Sequence, residues 1–177
     1  MLYLILRQNP RVQSTSCCRR PRMESTDRYG LSPMQSGMLF NSLLSPGTGV
    51  DIEQVLIRCP QGLETGPWRR AWQGLVDRHE ILRTALCWEG VQVPEQRVAS
   101  GVTLPVTEID FTGEPDADGA LGRWLHADRV RGFDLSAAPL MRLALVRMPR
   151  GACAIWSFHH VLLDGRSFPL LLREVWD

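Results

Sequence analysis

The sequence predicts a layered α/β (α+β) domain in which a mixed sheet carries flanking helices. Three observations predict it. Segments with helical spacing are interspersed with strand-like segments along the chain. Two apolar runs, 140–148 and 152–158, are separated only by Pro149-Arg150-Gly151, a connection that suits a hairpin. And 177 residues at 44% hydrophobic content can bury one sizeable core, which excludes disordered, collagen-like and fibrous classes.

Residues 7 to 30 carry six arginines against Glu24 and Asp27, with Pro10, Pro21 and no apolar period, so residues 1–30 are expected to form a solvated, disordered leader. Met23 stands just ahead of the ordered pattern and is a candidate alternative start. Order is expected from Leu31 to Asp177. Ser32, Pro33 and Gln35 make a capping-box helix start, and Leu31, Met34, Met38, Leu39 and Leu43 keep helical spacing up to the stop at Pro46-Gly47. A strand follows from Ile52 to Cys59. Pro67 opens a second helix whose Trp68, Ala71, Trp72, Leu75 and Val76 form one stripe, with His79 on its extension. From Ile81 to Trp88 the pattern alternates, with Leu82, Thr84, Leu86 and Trp88 on one side and Arg83 on the other, so Arg83 is expected to emerge from a strand.

Further strand-like pieces run at 91–98 and 102–109. A third helix is expected over 116–130, grouping Ala117, Ala120, Leu121, Trp124 and Leu125. The 152–158 run has the nearly continuous apolar character of a central strand, and an apolar helix closes the chain from Ser167 to Trp176. Asp177 follows that helix with no C-cap signal, so the chain is expected to be cut rather than finished.

Charge excludes some partners. The 20 basic residues, all arginine, nearly cancel 19 acidic ones, leaving no electrostatic footprint for nucleic acid or a membrane surface. Cys17, Cys18, Cys59, Cys87 and Cys153 lack paired spacing, which points to a reducing, cytoplasmic setting. The apolar Met1–Leu6 stretch is too short to span a bilayer.

The chemistry-bearing stretch is His159-His160-Val161-Leu162-Leu163-Asp164-Gly165, at the end of the central strand. Successive strand residues face opposite ways, so only His160 is expected to share a face with Trp156 and Phe158. Asp164-Gly165 suits a turn that folds the carboxylate under the imidazoles or towards an arginine. The two histidines either close the strand with satisfied hydrogen bonds or build a site. A metal site is disfavoured, because adjacent histidines on opposite faces do not readily chelate one ion.

This stretch resembles the HHxxxDG signature of nonribosomal peptide synthetase condensation domains, which share the chloramphenicol-acetyltransferase-like fold. Two further blocks match in the same order: Leu31 to Phe40 resembles the family's first motif, and Arg78-His79-Glu80-Ile81-Leu82-Arg83-Thr84 its second, RHExLRT. The resemblance covers residues 30–177 and implies the N-terminal half of a condensation domain, with the second half absent.

It implies transfer of an acyl or peptidyl thioester to an aminoacyl amine, both presented on 4'-phosphopantetheine of carrier proteins, with no bound cofactor and no metal. His160 would act as base or orienter, and Asp164 would pair with an arginine, for which Arg78 matches and Arg83 is a second candidate. Gly165 would keep the backbone near the donor thioester path, and His159 would give structural support. The partners implied are carrier proteins and the rest of the synthetase. A half-built site is expected to show little or no condensation activity alone. The alternatives are a stand-alone HxxxD-type acyltransferase, an epimerization domain sharing the signature, and a noncatalytic carrier-docking remnant.

Overall fold

The computed structural model describes residues 25–59 and 62–176. In chain order the elements are β1 (Ser25–Gly30), α1 (Pro33–Leu44), β2 (Ile52–Cys59), α2 (Thr65–Arg78), a 3-10 turn (Glu80–Arg83), β3 (Thr84–Cys87), β4 (Glu95–Ala99), β5 (Val106–Asp110), α3 (Ala117–Arg131), β6 (Met141–Arg147), β7 (Ala152–His159) and α4 (Ser167–Trp176). The strands form a four-stranded sheet, β2-β7-β6-β5, and a three-stranded one, β1-β4-β3. Among the described strands only the β5–β6 pair is parallel, so the larger sheet is mixed.

β7 is buried along its whole length between β2 and β6, as its apolar run requires. One of its faces, with Ala154, Trp156 and Phe158, packs with Trp72, Leu75 and Val76 of α2 and Leu171 of α4 in the main core. The other, with Cys153 and Ile155, packs with Leu121 of α3. The sheet therefore lies between helices on both faces, and the expected α/β layering is observed. The 149–151 hairpin closes where Met148 N–H donates to Gly151 O at 3.1 Å, with Gly151 at φ 83°.

The structure corrects five sequence expectations, one of them the start of β4, which is Glu95 rather than Val91. Residues 25–30, assigned to the leader, form β1, because their backbone pairs antiparallel with β4 and needs no apolar period of its own; the rest of the leader lies outside the described residues. Residues 80–83 form a 3-10 turn rather than strand, so Arg83 leaves a helical turn; its Nη1 donates to Ala99 O at 3.1 Å. α2 starts at Thr65, two residues before Pro67, which is tolerated because a first-turn N–H has no intrahelical partner. Finally, β5 begins at Val106 rather than 102. Gln73 of α2 intercepts the intervening backbone, donating to Val102 O at 2.8 Å and accepting from Leu104 N–H at 2.9 Å.

Candidate active site

The site grows from the end of β7. That strand stops at His159, so the pleat that would have aimed His160 runs out one residue early, and hydrogen bonds aim it instead. His160 N–H donates to Asp51 O at 2.8 Å, and its Nδ1 lies 2.7 Å from Leu163 O. A carbonyl only accepts, so Nδ1 carries a proton. In the neutral ring Nε2 then holds the lone pair, and it has no hydrogen-bond partner among the described residues. The residue is half-buried.

His159 is placed oppositely. It is 3% exposed, its Nδ1 accepts Val161 N–H at 3.1 Å, and its Nε2 lies 3.2 Å from Ser42 Oγ. Burial holds its pKa below the usual histidine value, with neighbouring His160 acting in the same direction and Asp51 opposing. The lowered pKa favours the neutral ring, which these two contacts hold within the fold.

Asp164 does not fold under the imidazoles, nor does Arg78 reach it. Its Oδ1 accepts Arg166 N–H at 3.0 Å, Ser167 N–H at 2.8 Å and the Ser167 hydroxyl at 2.7 Å, so the exposed carboxylate caps the entry to α4. A short side chain finds backbone donors two and three residues on at little entropic cost, and these local contacts win over a distant guanidinium. They also hold its pKa below the usual carboxylate range, the Ser167 hydroxyl most strongly. Arg78 pairs instead with Glu174 of α4 at 2.9 Å, and His79 Nε2 meets the same oxygen at 2.9 Å. The second-motif block therefore braces α4, while Asp164 starts that helix.

Gly165 is exposed; a Cβ there would meet no atom within 4 Å. Packing in this chain does not demand glycine at that position.

Gln35 does more than cap. The box with Ser32 forms as expected, and Gln35 Nε2 also donates to Gln96 Oε1 at 2.9 Å and to Val161 O at 3.2 Å. The first-motif block thus grips the turn after His160. Among the described residues no group of three or more His, Cys, Asp or Glu is arranged to hold a metal ion.

Sequence reasoning missed one cluster behind the site. Asp128 of α3 accepts from Arg142 Nε at 2.6 Å, Ser157 Oγ at 2.6 Å, Gln54 Nε2 at 3.0 Å and Arg131 Nη2 at 2.7 Å. The signal was present. Asp128 lies seven residues after Leu121 on the apolar stripe of α3, and Gln54 and Arg142 flank Ser157 directly across the sheet.

A family model described as a condensation domain matches residues 25–177. The chain belongs to the condensation-domain family. The start of that match agrees with β1 as part of the domain. Among curated relatives, this condensation-domain chain is 39% identical over 155 residues to a linear gramicidin synthase of Brevibacillus parabrevis, an alignment covering 86% of the chain and 2% of the synthase.

Among solved structures, the starter condensation domain of rhizomide synthetase superposes with a TM-score of 0.77 at 22% identity, covering 85% of this chain and 38% of that one. A substituted form of the rhizomide domain is solved in complex with C8-CoA and Leu-SNAC. The epimerization domain from the third module of tyrocidine synthetase B superposes with a TM-score of 0.75 at 20% identity, covering 85% and 33%. The chain thus has the chloramphenicol-acetyltransferase-like fold and spans less than half of these solved relatives.

Proposed function

We propose that this chain is the histidine-bearing part of an amide-forming condensation domain of nonribosomal peptide synthesis. The donor is an acyl or peptidyl thioester on one carrier protein's 4'-phosphopantetheine, and the acceptor is the α-amine of an aminoacyl group on a second. The single observation that carries the reading is the Nδ1–H contact of His160 to Leu163 O, which leaves Nε2 to meet the amine.

An α-amine with a free pKa of about 8 is mostly protonated at neutral pH. Nε2 takes or orients its proton as the amine nitrogen attacks the thioester carbonyl; the C–N bond forms, the C–S bond breaks, and a proton passes to the departing thiolate. His159 supports the turn from within the fold. Asp164 acts through the backbone that it caps, and Gly165 keeps the donor route free of side chain. Arg78 and Arg83 brace α4 and the 3-10 turn.

Support comes from the family match and from the rhizomide domain, whose substituted form holds C8-CoA together with Leu-SNAC. The partners proposed are carrier proteins and the rest of a synthetase. The setting proposed is cytoplasmic, where Cys59 and Cys153 stay thiols. Because the chain spans 38% of the solved starter domain, it is proposed to turn over little by itself.

The test replaces the matching segment of a condensation domain from the linear gramicidin synthase with residues 25–177, supplies loaded donor and acceptor carriers, and measures amide by mass spectrometry. Amide is expected from the graft and is expected to fall at least about a hundredfold in His160→Ala. A folded graft indifferent to His160→Ala overturns the reading. Transfer to an alcohol in preference to an amine favours the stand-alone acyltransferase, epimerization of the donor residue favours that domain type, and carrier binding without turnover favours a docking remnant.

A further inference from the structure

The loop between α1 and β2, the last turns of α1 and the end of β7 meet at His159. Since Val161 N–H fills Nδ1, the proton of the neutral His159 ring sits on Nε2 and points at Ser42 Oγ, 3.2 Å away. Ser42 Oγ donates onward to Asp51 Oδ2 at 3.2 Å. The carbonyl of the same Asp51 accepts the His160 N–H at 2.8 Å. Asp51 is therefore joined to both histidines, to His160 by its backbone and to His159 through Ser42.

The three side chains have the composition of a hydrolytic triad but the opposite polarity. In such a triad the imidazole accepts the serine proton. Here Nε2 is the donor, because the other ring nitrogen is occupied by an amide N–H, so Ser42 cannot be activated as a nucleophile. What the chain of hydrogen bonds can do is hold a ring.

The cluster lines an open cavity of about 270 Å³. The other charged groups on that wall are committed elsewhere: Arg131 to Asp128 at 2.7 Å, and the Asp134 carboxylate to the Ser136 N–H and hydroxyl at 3.0 and 2.6 Å. Asp51 and His160 are the groups whose charges act on His159.

We propose that Ser42 and Asp51 are positioning residues: by holding the Nε2–H of His159 they keep its Nδ1 on Val161 N–H, and so hold the turn that orients Nε2 of His160. The catalytic consequence rests on the reading of His160 given above; the hydrogen-bond relay does not. Neither residue touches the reacting atoms. Loss of the Ser42 hydroxyl frees the buried ring to rotate and loosens the Val161 contact, and the turn from His160 to Leu163 loses one of its anchors.

The experiment is NMR on the full chain with isotope-labelled imidazole nitrogens, combined with amide hydrogen exchange at Val161. In the unsubstituted chain the neutral His159 is expected to carry its proton on Nε2 and His160 on Nδ1. In Ser42→Ala, Val161 exchange is expected to accelerate about two- to tenfold, the range for one lost hydrogen bond, and His160 to lose its single tautomer. Ser42→Thr, which keeps a hydroxyl, is expected to restore both readings. Asp51→Ala should behave like Ser42→Ala, whereas Asp51→Asn, which keeps an acceptor oxygen, should retain most of the protection.

A proton on Nδ1 of His159 in the unsubstituted chain overturns the proposal, whether or not any variant folds. So does a folded Ser42→Ala with unchanged exchange and tautomers. In the grafted domain, Ser42→Ala is expected to lower kcat with KM little changed, rescued by Ser42→Thr. If amide formation ignores His160→Ala while the tautomers are as expected, the functional reading falls and the relay stands; if His160→Ala is inactive and Ser42→Ala moves nothing, the reverse holds.

Discussion

Replacing Asp128 by asparagine probes the ionic cluster that fixes α3 to the sheet. Asp128 is 3% exposed, and burial alone would push its pKa up. Hydrogen bonds from Arg142, Ser157 and Gln54, with the charge of Arg142, outweigh that and hold it below the usual carboxylate value. Arg142 also donates to Gly132 O at 2.7 Å and Asp128 O at 2.6 Å, and its guanidinium lies 4.1 Å above the centre of the Phe133 ring.

Asparagine keeps the shape, but its amide turns N–H groups towards a site built of donors, and it leaves the half-buried Arg142, whose side chain is 12% exposed, without a counter-charge. Removing one partner of such a pair costs about 3–5 kcal/mol. At about 2–4 °C per kcal/mol for a chain of this size, Tm should fall by roughly 6–20 °C. Urea unfolding followed by tryptophan fluorescence reads the loss directly. Arg131→Ala is the control, since that side chain is 58% exposed and its contact should contribute no more than about 1 kcal/mol.

Linkage adds a second signature. A carboxyl whose folded pKa is lowered stabilises the fold fully above its unfolded value of about 4, and the contribution is lost as pH falls through the folded value. The asparagine variant should lack this part of the acid slope. A loss below about 1 kcal/mol, no larger than that of Arg131→Ala, would refute the claim that this cluster anchors the layers.

Asp164→Ala should leave the β7 core intact while fraying the start of α4, seen as faster amide exchange at Ser167 and Phe168; Asp164→Asn, which keeps an acceptor, should fray less. Gly165→Ala should change stability by no more than about 0.5 kcal/mol, because a Cβ there meets nothing within 4 Å, yet it should slow amide formation in the grafted domain if the donor thioester passes that backbone. Equal activity would remove Gly165 from the site. His159, with a pKa lowered in the fold, should cost stability as pH falls below about 6.5, because the unfolded chain binds the proton more readily. His159→Gln should flatten that part of the pH–stability profile, and an unchanged slope would count against a buried neutral ring.

The elements that the sequence specifies well are those whose causes lie within a few residues. The Ser32–Gln35 box, the apolar β7 run, the 149–151 hairpin and the stripe of α2 all draw on local hydrogen bonds, on an unbroken apolar run or on a period of about four residues. β1 escaped because its pairing partner, β4, lies some seventy residues on, and an exposed edge strand needs no apolar alternation. Arg83 was misplaced because a 3-10 turn and a short strand leave the same short apolar trace over 81–88.

The sequence alone placed two adjacent histidines at the end of a buried strand and led to the expectation that they face opposite ways. Which nitrogen of each ring is available was decided by the turn that follows, through Leu163 O for His160 and Val161 N–H for His159, whereas the Ser42 contact to His159, between α1 and the end of β7, was a tertiary matter. The same holds for Arg78, drawn to Glu174 rather than Asp164, and for Asp128, whose four donors come from β2, α3, β6 and β7. A side chain's spacing sets which way it leaves its own element. Where its partners are donors and acceptors that other segments bring within about 3 Å, as for Ser42, Arg78 and Asp128, no local pattern encodes that meeting.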